Sequence, residues 1–158
     1  MVLLAGACVL MIVDLFVKGE RRTVSTAPAH LVLLACAVAT GVVWMGTAGE
    51  MSPAFNRLYI ADVMAHVLKL VSYGATALAL VYSRQYLLDR GLLRGEFITL
   101  LLFSLLGMMI MISASSFLSI YLGLELMSLC LYALVALNRD SPLSTEAAMK
   151  YFVLGALS

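Results

Sequence analysis

S-I-Y-L-G-L-E-L-M-S-L-C-L-Y-A-L-V-A-L, Ser119 to Leu137, is an apolar run of membrane-spanning length with one carboxylate, Glu125, set inside it. A charged side chain at the centre of a spanning helix costs roughly 2.5 to 3.5 kcal/mol on insertion scales, so an acidic residue held there is a functional hypothesis by default. On a helix of 3.6 residues per turn Tyr121, Ser128 and Tyr132 fall at i−4, i+3 and i+7 from Glu125, giving one polar stripe on an otherwise apolar rod. Such a stripe faces other helices or water. The plainer reading of the same carboxylate is a protonated hydrogen-bond donor that glues one helix to the next.

Working outward, the composition agrees with the stretch. The chain has 158 residues, 63% hydrophobic and 12% charged, with a mean hydropathy of +1.04. Soluble domains run at about 45 to 50% apolar and 25% charged, so this is an integral membrane protein. The net charge of +1 supplies no basic surface, and the charges cluster between apolar runs, which excludes nucleic-acid binding. Cys8, Cys36 and Cys130 all sit inside apolar runs without a C-x-x-C or ligand spacing, and read as small packing residues. The methionines of the later helices read the same way, and no metal site is implied.

Apolar runs of about 20 residues mark spans. The expectation is an all-α polytopic bundle with five complete spans and the beginning of a sixth. The first, 2–17, is short and carries Asp14 near its end. It lacks the basic flank and the small-residue cleavage site of a signal peptide, so a retained helix is expected. Lys18 to Thr23 is polar, and the second helix spans 29–48 with Trp44 near its far end, where an indole suits the interface.

Glu50 to Arg57 is turn-rich and leads into the third helix, 59–82. Its opening carries a second polar stripe, Asp62, His66, Lys69 and Tyr73 at i, i+4, i+7 and i+11. Lys69 can snorkel outward, pair with Asp62, or belong to a proton path; a stripe tapering from one end favours the first two.

Arg84 to Glu96 is the most charged loop. The long uncharged run after it breaks at Ser113-Ala114-Ser115-Ser116 into a fourth helix, 97–112, and a fifth, 117–137. Ser144 or Thr145 can cap a sixth helix, 145–158, too short to cross a core of about 30 Å. An N-terminal fragment of a longer polytopic protein is therefore expected.

Lysine and arginine set the orientation. Lys18, Arg21, Arg22, Arg84, Arg90, Arg94 and Arg139 fall on one side and Arg57 on the other, which puts the first set in the cytoplasm and the N-terminus outside. Glu125 then lies roughly 12 Å in from the outer end of its helix, and Lys150 enters the next helix from the cytoplasmic end. A carboxylate and an ammonium at different depths of one interior suit a proton relay. An ordinary ion pair of Lys150 with Glu146 at i−4 fits the residues equally well.

Two motifs carry a resemblance. F-L-S-I-Y-L-G-L-E-L-M-S-L-C-L-Y-A-L-V-A-L (Phe117 to Leu137), with its L-G-x-E-L-x-S-L core, is followed by S-T-E-A-A-M-K-Y-F-V-L-G-A-L-S (Ser144 to Ser158), with E-A-x-x-K-Y. Together they closely resemble the subunit N family of the bacterial proton-pumping NADH:quinone oxidoreductase, respiratory complex I. The earlier helices match more weakly, including Asp62 at the opening of the third, and the likeness covers about the first third of the family's length.

The resemblance implies an antiporter-like proton-channel subunit without a redox centre, in the inner membrane of a bacterial cell. It implies for Glu125 the role of the intramembrane glutamate of the fifth helix, paired with a lysine on the seventh, and for Lys150 the lysine near the start of the sixth. Lys69, Asp62, His66 and Tyr132 are the further relay candidates. The lysines of the seventh, eighth and twelfth helices would lie beyond Ser158, so this stretch is not expected to move protons alone. Cys130 stands where many relatives have proline, which implies a straighter helix here.

The partners implied are the lipid bilayer and the other membrane subunits of the complex. NAD, FMN, iron-sulfur clusters and quinone are implied in partner subunits, and no cofactor is expected in this chain. It contains no G-x-G-x-x-G and no cysteine cluster. Two other readings fit the same residues: a homologous subunit of a multisubunit cation/proton antiporter or a membrane-bound hydrogenase, and a structural subunit that transports nothing.

Overall fold

Helix signals in the sequence become six helices in the computed structural model, which describes residues 2–16, 26–47, 52–54, 59–90 and 95–157. They are α1 (Val2–Phe16), α2 (Thr26–Thr47), α3 (Val63–Asp89), α4 (Gly95–Ile112), α5 (Phe117–Val135) and α6 (Pro142–Leu157). Between α2 and α3 a short antiparallel ladder pairs β1 (Ser52–Ala54) with β2 (Tyr59–Ala61). Four helices, α2 to α5, are long and apolar enough to cross a membrane. At 15 residues, α1 reaches about 22 Å and falls short of that length.

Caps explain most of the boundaries. Asp62 stops α3 from starting at Tyr59: its Oδ1 accepts the Ala65 N–H at 2.7 Å, with Asp62 itself extended at φ −124°, ψ 172°. The residues expected to open the helix form β2 instead. At its other end α3 runs past Tyr82 to Asp89, because Ser83 to Asp89 is amphipathic, with Leu87 buried and Arg84 and Gln85 exposed. Charge there marks a solvated helix face, not the loop expected from it.

Ser116 caps α5, its Oγ accepting the Ser119 N–H at 3.2 Å. The sixth helix starts earlier than expected and with a different cap. Ser141 Oγ, not Ser144 or Thr145, accepts the first free N–H, that of Ser144 at 3.4 Å, and Pro142 takes the first helical position, where its missing N–H costs nothing.

The core lies among α1 to α4. Leu3 and Ala7, Ala29 and Leu33, Tyr73 and Leu80, and Leu102 and Leu105 of α4 form one buried cluster. In a bilayer the lipid is as apolar as the core, so helices associate through close packing, which small residues permit. A Cβ on Gly6 would meet Val32 of α2 at 2.6 Å. A Cβ on Gly107 of α4 would lie 2.7 Å from the Gly123 carbonyl oxygen of α5, and one on Gly123 would lie 2.9 Å from that of Gly107.

Two tethers mark the ends of the bundle. At one end the Ile60 N–H donates to the Ser113 carbonyl at 2.9 Å, joining β2 to the α4–α5 turn. At the other Arg139 pairs with Glu96 at 3.4 Å, joining the α5–α6 turn to the start of α4. Lys18 to Thr23, Arg57 and Arg94, which carry much of the orientation argument, lie outside the described residues.

Candidate functional site

The two faces of α5 are chemically distinct. Gly123 and Cys130 are buried, and Met127 meets Gly107, so this side packs on α4. Glu125 is two residues from Gly123 and hence turned about 200° away, onto the opposite side with Tyr121, Ser128 and Tyr132. The stripe read from the sequence therefore faces away from α4. Glu125 is half-buried and makes no hydrogen bond or ion pair with any of the described residues. Only 11% of the α5 span is buried within this chain, so most of its surface is free to meet lipid or further protein.

Tyr132 holds α6 on that same side. Its ring stands edge-on to Tyr151 at 4.8 Å and to Phe152 at 5.6 Å, and its hydroxyl reaches Gly155. Because α6 runs back along α5 from a short turn, the level of Tyr132 matches residues 151–155. Glu125 lies about 10 Å further along α5, past the level of the described residues of α6. Lys150 is on the other side of that level and pairs with Glu146 at 2.6 Å, both side chains well exposed. Glu125 and Lys150 are thus not brought together by the described residues, and the i−4 ion pair is the contact that Lys150 makes.

In the stripe of α3, Lys69 is 5% exposed and His66 is 4% exposed, so the lysine is buried among its neighbours and does not snorkel outward. With Tyr73 they line a cavity of about 420 Å³ closed by Cys36 and Thr40 of α2 and by Ser119 of α5. Thr40 Oγ1 donates to the Cys36 carbonyl at 2.9 Å and lies 3.4 Å from the Tyr73 hydroxyl. Trp44, expected at the interface, stacks on His66 with ring centroids 6.3 Å apart and planes 10° apart. His66 Nδ1 is buried and has no hydrogen-bond partner among the described residues.

Thr40 and Ser119 were not singled out from the sequence. A hydroxyl in an apolar run carries no signal until its neighbours are known. Among the described residues no three His, Cys, Asp or Glu side chains gather where they could hold a metal ion.

Comparison with known proteins shows what the chain is similar to. The chain is 52% identical over 157 residues to NADH-quinone oxidoreductase subunit N of Laribacter hongkongensis, covering 99% of this chain and 32% of that protein. The similarity falls on the N-terminal portion of subunit N. Subunit N of Methylovorus glucosotrophus is 50% identical, again over 99% of this chain and 32% of its own length.

The family model described as the transmembrane part of NADH:quinone oxidoreductase/Mrp antiporter proteins matches residues 114–158, which contain both Glu125 and Lys150. Among solved structures, respiratory complex I from Thermus thermophilus with bound aureothin contains a chain that superposes with a TM-score of 0.75 at 26% identity. The match covers 99% of this chain and 32% of that one. The chain therefore spans about a third of the length of the subunit N relatives it matches.

Proposed function

We propose that this chain works as part of a proton-translocating membrane subunit of NADH:quinone oxidoreductase, in which electron transfer in other subunits drives proton movement through this one. The observation that supports it most is Glu125: an intramembrane carboxylate on the side of α5 away from α4, inside the segment that the antiporter family model matches. In this reading Glu125 holds and releases a proton, and its charge responds to a cation brought to that side by further helices of the subunit.

Lys150 sits about 12 Å in from the start of α6, and a proton passes it once its pair with Glu146 opens. Tyr132 positions α6 against the stripe. The N-terminus is outside, α1 counts as the first of five spans ahead of α2 to α5, and α6 is the start of a sixth; the seven-to-one division of lysine and arginine between alternate loops supports that arrangement. The partners are the other membrane subunits of the complex in the bacterial inner membrane, and NAD, FMN, iron-sulfur clusters and quinone belong to them.

A subunit of a multisubunit cation/proton antiporter is the second reading, supported by the shared family description of residues 114–158.

The test is NADH-driven proton pumping, alongside electron transfer, in membranes carrying Glu125→Gln or Glu125→Ala in the full-length subunit. Loss of pumping in both variants with the complex assembled supports a charge-bearing role. Normal pumping in Glu125→Gln makes the carboxylate a structural hydrogen-bonding group and overturns the reading.

A further inference from the structure

The polar groups of α3 are arranged by depth. Asp62 caps the helix at the end of the bundle tethered by Ile60 and Ser113, His66 is one turn in, and Lys69 is about 10 Å in. His66 interacts electrostatically with both Asp62 and Lys69. His66 and Lys69 line the same cavity, whose volume of about 420 Å³ accommodates on the order of ten water molecules. Water also needs polar partners there, and the hydroxyls of Thr40, Tyr73 and Ser119 supply them. The unpartnered Nδ1 of the buried His66 is a further one.

We propose that Asp62, His66 and Lys69 form a second proton-holding ladder, hydrated through this cavity from the end of the bundle where α3 begins. It rests on the reading of this chain as part of a proton-translocating subunit, but it is separate from the α5 stripe. Ser119 reaches the cavity from the side of α5 that packs on α4, whereas Glu125 lies on the other side. Both Lys69 and Glu125 are about 10 to 12 Å in from the same end of the bundle, one on each side of α5. The subunit thus has two ionisable sites at one depth, and the cavity gives the first of them a route to the aqueous phase.

Each step moves one proton and no electron. Protonated His66 passes its proton through hydrogen-bonded water to the Lys69 amine, which becomes an ammonium, and Asp62 returns a proton to His66 from the aqueous end. Among the described residues, the titratable groups facing the cavity besides His66 and Lys69 are Tyr73 on α3 and the Cys36 thiol on α2, while Asp62 stands at the helix start outside its lining. From α1 and α4 only apolar side chains, among them Leu3 and Met109, reach it.

The experiment uses the assembled complex with Lys69→Met, which removes the amine, and Lys69→Arg, which keeps a charge but does not release its proton. NADH-driven pumping falls about tenfold or more in both variants. Wild-type pumping in Lys69→Arg overturns the proposal, because charge alone then suffices; wild-type pumping in Lys69→Met overturns it as well.

If these variants do not assemble, labelling decides. In a Thr40→Cys variant with Cys8, Cys36 and Cys130 replaced by Ala, a membrane-impermeant thiol reagent reacts from the side where α3 begins. Protection from both sides overturns the proposal. Glu125→Gln separates this inference from the α5 reading: impaired Glu125→Gln with normal Lys69 variants removes the ladder alone, and the reverse removes the α5 role alone.

Discussion

The Tyr132 hydroxyl occupies the space that a side chain on Gly155 would need. This contact and the two edge-on rings of Tyr151 and Phe152 fix how α6 lies on the stripe of α5. In an isolated helix Gly→Ala is favourable by about 1 kcal/mol. Here Gly155→Ala instead displaces Tyr132 and loosens α6, read as faster proteolysis of the α5–α6 turn in membranes. Adding Tyr132→Phe removes the nearest clashing atom and recovers part of the loss.

Removing the ring altogether is a different perturbation. Tyr132→Ala deletes two edge-to-face pairs worth about 0.5 to 1.5 kcal/mol each. The assembled complex should lose thermal stability, whereas Tyr132→Phe, which keeps both rings in contact, should be close to wild type. Equal losses in the two variants would place the importance in the hydroxyl.

At the α4–α5 crossing no flexible side chain can move aside, because the atoms that a new Cβ on Gly107 would meet include the Gly123 carbonyl and the Met127 backbone N–H. Gly107→Ala and Gly123→Ala should each destabilise by about 1 to 3 kcal/mol, as overpacked cores do. The readout is the midpoint of thermal inactivation of the complex. Gly74, with nothing within 4 Å of a new Cβ, is the control: Gly74→Ala should be neutral or stabilising.

Asp62 combines a cap with a charge, and two substitutions separate them. Asp62→Ala removes the acceptor for the Ala65 N–H and should cost about 1 kcal/mol of stability. Asp62→Asn keeps a capping oxygen while abolishing the carboxylate, so stability stays near wild type. Pumping that falls in Asp62→Asn as far as in Asp62→Ala assigns the functional loss to the charge.

Much of this was legible in the residues. The stripe of α5 depends only on the pitch of one helix and on a charge whose burial is costly, and both are local properties. The six helices follow from apolar runs and their interruptions. Boundaries were less legible where a cap or an amphipathic tail decided them. Asp62 moved the start of α3, and Leu87 carried its end through a charged segment that reads as a loop.

The cavity was not legible. Its walls come from α1 to α5, and Thr40 meets Tyr73 from 33 residues away. A lysine near a helix end looks like an anchor until the neighbours that bury it are in place.

The glycine crossing has a mechanical corollary. With backbone atoms of α4 and α5 already in contact at Gly107 and Gly123, a roll of α5 about its own axis drives Met127 into α4. The azimuth of Glu125 is therefore locked. In the role proposed for it, control over its charge arrives by the approach and retreat of groups on neighbouring helices, with α5 the stator and its surroundings the moving parts.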